Sequence, residues 1–137
     1  MIDNDLIQAA LVARANITTE IISSVLSGTI AEYDFQGTDW HYPCARIHIE
    51  FQTDSPDSNV HCPSQVDFSW YVFSERGSSK QANQLAGIFV RNFRGLSFAQ
   101  NNIKFVQIRI VDNIPAIRQD VRTWRSQVRC RSTVHNT

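Results

Sequence analysis

Apolar residues recur along this chain in two rhythms, one helical and one alternating. Leu6, Ile7, Ala10 and Leu11 fall at helical spacing behind Asp3 and Asn4, either of which can cap a helix by accepting hydrogen bonds from its free backbone N–H groups. Asn16 and the β-branched run Ile17-Thr18-Thr19 weaken the pattern, which resumes at Ile21, Ile22 and Val25 and meets a stop at Gly28. One long helix or two short ones satisfy this stretch. The strongest helical signal lies further on: Ala82, Leu85, Ala86, Phe89, Val90 and Phe93 all fall on one face. Ser78-Ser79-Lys80-Gln81 precedes them as a capping box with Ser78 at the N-cap, and Gly95 ends the element. Arg91 and Arg94 lie in its last turn, where cations suit the helix dipole.

The alternating segments read as strands. Ile30 to Gln36 is a short first strand, followed by a turn or loop over Gly37 to Pro43. From Ala45 to Phe51, Ile47, Ile49 and Phe51 alternate with Arg46, His48 and Glu50, the pattern of a half-buried strand. A polar loop over residues 52–65, with Pro56 and Pro63, is long for a hairpin connection. Val66, Phe68, Trp70 and Val72 then alternate with Asp67, Ser69, Tyr71 and Phe73, so this strand has cover on both faces. A strand over Ile103 to Val111 is interrupted by Asp112-Asn113-Ile114-Pro115, and a last strand runs from about Arg122 to Thr133. In that last strand Trp124, Ser126, Val128 and Cys130 share one face, and Arg125, Gln127, Arg129 and Arg131 share the other. An arginine-lined face must meet solvent, acidic side chains or a partner. The order α-β-β-β-α-β-β predicts an α+β fold, a mostly antiparallel sheet with two helices packed on one face.

Length supports one domain over residues 1–137, large enough to bury a core without metal or disulfide staples. No apolar run approaches the ~20 residues that span a bilayer, and the acidic start lacks the marks of a secretory signal, so no membrane role is expected. Three cysteines, Cys44, Cys62 and Cys130, form no disulfide framework. Net charge is zero, but its distribution changes the picture. Residues 1–75 hold two bases and eleven acids, whereas residues 76–137 hold eleven bases, nine of them arginine, and two acids. Strands of the two halves lying side by side would cancel these charges across one surface. Alternatively, an acidic flank on one copy meets a basic flank on the next, the head-to-tail contact that closes a ring. A nucleic-acid reading of the basic half finds no recognised binding motif.

Catalytic and metal signals are thin. His41, Cys44, His48, His61 and Cys62 cluster in two segments, but adjacent His61-Cys62 is poor spacing for a structural zinc site. No Gly-x-Ser-x-Gly, Cys-x-x-Cys or phosphate-binding glycine loop occurs. Asp54 and Asp57 suit turn formation better than acid–base work. No enzyme activity and no cofactor are expected.

With the elements laid out, the chain resembles the small tail-terminator, or tail-completion, neck proteins of long-tailed bacteriophages. The resemblance lies in element order and texture over nearly all of residues 1–134: an N-terminal helix over Asp3–Ser27, Tyr42-Pro43 before the strand Cys44-Ala45-Arg46-Ile47-His48-Ile49, and Phe68-Ser69-Trp70-Tyr71-Val72-Phe73 running into the helix Ser79–Phe93. Two closing strands follow, joined by a segment with Ile114-Pro115 and Asp120, the last carrying Trp124-Arg125-Ser126-Gln127-Val128-Arg129-Cys130. The resemblance implies a virion protein assembled in the host cytoplasm. It implies a ring, usually of six subunits, at the head-proximal end of the tail tube, which stops tube polymerisation and receives the head connector. Its partners would be itself, the tail tube protein and the connector or adaptor proteins, with genomic DNA passing through unbound. Head-closure adaptors share this size and composition, and a nucleic-acid-binding module using the basic half is the reading from a different class.

The charge split then nominates interface residues: Glu32, Asp34 and Asp39 on one side, Arg118, Arg122, Arg125 and Arg129 on the other. Reversing both Arg122 and Arg125 to glutamate should weaken ring assembly as followed by sedimentation velocity. Unchanged assembly would refute a role for these charges.

Overall fold

Phe89 and Phe93 stand one turn apart on a helix, and Trp70 of a central strand packs against both, with ring centroids 4.7 and 5.6 Å away. The rest of the core is arranged around this contact. The computed structural model describes residues 2–24, 26, 28–32, 41–54, 63–75 and 78–137. Its elements are α1 (Asn4–Asn16), α2 (Thr19–Ile22), β1 (Ile30–Glu32), β2 (Cys44–Asp54), β3 (Ser64–Ser74), α3 (Lys80–Phe93), β4 (Phe98–Gln100), β5 (Ile103–Arg118) and β6 (Trp124–Asn136). The strands form one sheet in the order β1-β2-β3-β6-β5-β4, antiparallel throughout except for the β1–β2 pair. This is the α+β arrangement that the sequence predicts, with α1 and α3 on one face.

Alternation assigns the faces. Ala45, Ile47, Ile49, Val66, Phe68, Trp70, Val72, Val128, Cys130 and Val134 are buried beneath the helices with Ile7, Ala10, Leu11, Leu85, Phe89 and Phe93. At ~25 cal/mol per Å² of apolar surface removed from water, such side chains dominate the favourable side of folding.

The first helical stretch breaks in two. After Asn16 the chain turns through Ile17, and the Thr18 hydroxyl donates back to the Arg14 carbonyl at 2.8 Å, which closes α1 before the four-residue α2. Several boundaries differ from expectation. Asp3 occupies the N-cap of α1 but offers its backbone carbonyl, not its side chain, to Leu6 and Ile7. The N-cap of α3 is Ser79, one residue later than the capping box implies. Ser78 Oγ accepts from the Lys80 N–H at 3.4 Å, and no reciprocal bond from Gln81 forms among the described residues. The short β4 was not signalled by alternation. It is made by a two-residue turn in which Asn101 and Asn102 both take left-handed backbone angles, φ 54° and 64°, which asparagine tolerates.

The largest departure is β5, which continues through Asp112-Asn113-Ile114-Pro115 instead of stopping there. Register shifts between Val106 and Arg109, Ile110 and Asp112, and Ile114 and Ile117 take up the irregular residues as bulges. Pro115 is tolerated because it lies within the last of these register shifts, where it has no ladder partner on β6. β6 begins at Trp124, after a turn over residues 119–123, and reaches Asn136. For the first strand, Ile30 to Glu32 is as predicted. Its continuation to Gln36, the turn from Gly37 to Trp40 and most of the 52–65 loop lie outside the described residues.

Truncating Trp70 or Phe89 to alanine should each cost about 3–5 kcal/mol in urea unfolding. Leu6→Ala, at a residue 54% exposed, should stay within roughly 0.5 kcal/mol.

Candidate functional site

The sheet face away from the helices carries the charged residues. Read across β2, β3, β6 and β5, its rows are Arg46, Tyr71, Gln127 and Ile114; then His48, Ser69, Arg129 and Asp112; then Phe51, Asp67, Arg131 and Arg109. Glu50, beside the β2 bulge, is the centre of this face. Its carboxylate accepts from the Ser69 hydroxyl, from Gln127 Nε2 at 3.2 Å and from Arg129 Nη2 at 3.3 Å. Arg129 also donates to Asp112 at 3.1 Å, and Arg131 makes a two-bonded fork to the buried Asp67 at 2.8 and 3.1 Å. The fork geometry is what a guanidinium offers and an ammonium does not. Cross-strand cancellation of charge is thus realised: Glu50 and Asp67 from the acidic half neutralise Arg129 and Arg131 from the basic half, and Glu20 pairs with Arg91.

The nominated interface residues separate into groups. Arg129 is committed within its own chain. Arg125 stacks over the Tyr71 ring at 5.3 Å, and Arg118 over the Trp124 ring at 5.3 Å. Arg118, Arg122 and Arg125 are brought together at the β5–β6 end, where Arg118 pairs with Trp124 and Ile117 with Arg125. Glu32 ends β1, at the far side of the sheet, so the topology keeps it apart from these arginines within one chain. Asp34 and Asp39 lie outside the described residues.

The β5–β6 end is firmly built. Asp120 accepts from the N–H groups of Arg122 and Thr123, both at 2.8 Å, and these two bonds hold its carboxyl below the usual carboxylate range. Asn83, in the first turn of α3, accepts from the Ala116 N–H at 2.8 Å and the Ser126 hydroxyl at 3.3 Å, tying the hairpin to the helix layer. Sequence reasoning missed Asn83, Glu50 and Asp67. Only the need of an arginine face for carboxylates pointed toward the last two.

Chemistry elsewhere is quiet. Burial pushes the Cys44 thiol up to about 11 and the Cys130 thiol up to about 12, opposite to what a nucleophile requires. His41 is exposed, and His61 and Cys62 lie outside the described residues; among the described residues no three potential ligands converge. A hollow of about 300 Å³ beside β1 is lined by Gly28, Thr29, Glu32, His41 and Arg46, and the Arg46 guanidinium there donates to the Thr29 carbonyl at 2.7 Å. No helix among the described residues is long and apolar enough to cross a membrane.

No protein-family model matches this chain, and no curated protein matches it. Solved structures share its fold, among them two that match it over nearly the whole chain. One is a chain from the virion of a native gene transfer agent particle, with a TM-score of 0.76 and 15% identity over 94% of each chain. Another has a TM-score of 0.66 and 14% identity, covering 100% of this chain and 99% of its own. At these identities the likeness is one of fold.

Asp120 also sets a pH dependence. Its folded value lies below the ordinary 3.8, so its contribution to stability is full above that value and is lost as pH falls through the folded one. Asp120→Asn should therefore flatten the acid limb of the stability–pH curve, measured by urea titration at successive pH values. An unchanged limb would assign the acid sensitivity to other carboxylates, such as Glu20, which Arg91 and Asn92 hold low.

Proposed function

We propose that this chain is a structural virion subunit of the tail-terminator kind. Copies assemble into a ring, six-membered as in the family it resembles, on the head-proximal end of a phage tail tube. There the ring ends tube polymerisation and presents a surface to the head connector, and DNA passes through it without specific contact. The protein acts by shape and adhesion, with no catalytic step and no cofactor. Its partners are other copies of itself, the tube protein and the connector or adaptor proteins.

The observation that carries this reading is the shared fold, over nearly the whole of both chains, with a chain of the gene transfer agent virion. The charge layout supports it. Cations without a carboxylate partner among the described residues, Arg118 and Arg122, sit at one end of the sheet and Glu32 at the other. A head-to-tail ring would bring such ends together.

Electron microscopy of particles made after deletion of the gene from its source genome tests the reading. Tails of uncontrolled length beside full, tailless heads are the expected outcome. Normal-length tails that fail to join leaking heads would move the subunit to the head side of the neck. Normal infectious particles would overturn the virion reading, and steeply salt-dependent DNA binding by the purified protein would then favour a nucleic-acid-binding module.

A further inference from the structure

Among the described residues the outer edge of β5 is largely open. β4 covers it only at Ile103 to Phe105. Gly95 and Leu96 bond to Ile108, the Ser97 hydroxyl accepts from the Gln107 N–H, and Asn83 accepts from the Ala116 N–H. Among the described residues no other backbone pairing is made along that side from Arg109 to Arg118. An exposed strand edge is a template for another strand, and from Arg109 to Ile114 this one is interrupted by a single bulge between Ile110 and Asp112. Here it also carries exposed apolar side chains: Val111 is 42% exposed, Ile117 50%, and Val121 in the adjoining turn 84%. The hairpin behind the edge is braced by Asn83, by the Asp120 turn and by the Arg118–Trp124 contact, so the edge is presented as a preformed surface.

We propose that residues 109–114 of this edge form the subunit contact by strand addition, and that the strand added is β1 of a second copy. The proposal rests on the ring reading above. Three observations select β1. It is the terminal strand at the opposite end of the same sheet, so its pairing with β5 is head-to-tail and can close a ring, whereas β5 on β5 would stop at a two-fold dimer. It contributes Glu32 and no base, while the paired segment of β5 offers Arg109; among the described residues neither of these two makes an ion pair. The acids near the β5 end are already engaged, Asp112 with Arg129 and Asp120 with its own turn. Pro115 has no N–H to donate, and Ala116 gives its own to Asn83, so pairing ends at Ile114 and a short strand such as β1 suffices.

Main-chain bonds would give this contact its strength, and the Glu32–Arg109 pair its direction. Arg109 faces a carboxylate only when the neighbour is the right way round.

The test uses the full chain with a photo-crosslinking amino acid at position 111, and with position 6 on α1 as the control. Trypsin releases β1 within the fragment 15–46, because no Lys or Arg lies between Arg14 and Arg46. In assembled rings, crosslinks between copies should join position 111, and not position 6, to that fragment. Glu32→Arg should lower the yield roughly tenfold, and adding Arg109→Glu to it should restore assembly. Rings that form while position 111 crosslinks elsewhere, or not at all, would overturn the strand-addition contact and leave the ring reading standing. Crosslinks joining position 111 to position 111 of another copy would show a two-fold contact and overturn the head-to-tail pairing. A wild-type chain that stays monomeric both alone and on isolated tail tubes would overturn the ring reading as well.

Discussion

Two helices can cover only one face of a six-stranded sheet, and the other face must then satisfy itself. On the covered side the solution is apolar packing, centred on Trp70 between Phe89 and Phe93. On the other side it is a lattice of ion pairs around Glu50, with Ser69, Gln127, Arg129, Asp112, Asp67 and Arg131 each placed by strand alternation. Exposed ion pairs contribute little singly, but Ser69, Gln127 and Arg129 share the Glu50 carboxylate and Arg129 also holds Asp112, so these groups fix one another's geometry, while Asp67 and Arg131 form a separate fork. The face is held rigid by satisfying its polar groups, with side chains from both halves of the chain.

This accounts for much of the charge asymmetry along the sequence. The acidic half supplies the acids of β2 and β3, the basic half supplies the arginines of β6, and antiparallel pairing of β3 with β6 brings the two together. Among the charges left over, Arg118 and Arg122 lie at the hairpin and Glu32 on β1, at the far side of the sheet. An intramolecular role for most of the charges and an intermolecular role for the remainder are compatible outcomes of one arrangement.

The elements with strong periodicity were legible in the sequence. The α3 stripe from Ala82 to Phe93 and the alternation of β2 and β3 place the core without reference to coordinates. The parts that were not legible depend on long-range partners. Nothing local announces that Asn83 will accept from Ala116, or that bulges will carry β5 past Pro115. β4 depends on a turn chemistry, Asn101-Asn102, that is visible in the sequence but weaker than the usual Asn-Gly signal. Among the nominated interface residues, periodicity put Arg125 and Arg129 on the correct face of β6. It could not show that Arg129 would be neutralised from across the sheet by Glu50.

Asn83 gives the hairpin a mechanical character. Because its side chain holds both the Ala116 main chain and the Ser126 hydroxyl, a load applied to the far end of β5 and β6 does not pass down the two strands alone. It also enters the first turn of α3 and travels along the helix to Phe89 and Phe93. Force is thereby shared between a sheet pulled along its strands and a helix seated on that sheet, which is the form of loading that packed layers resist best.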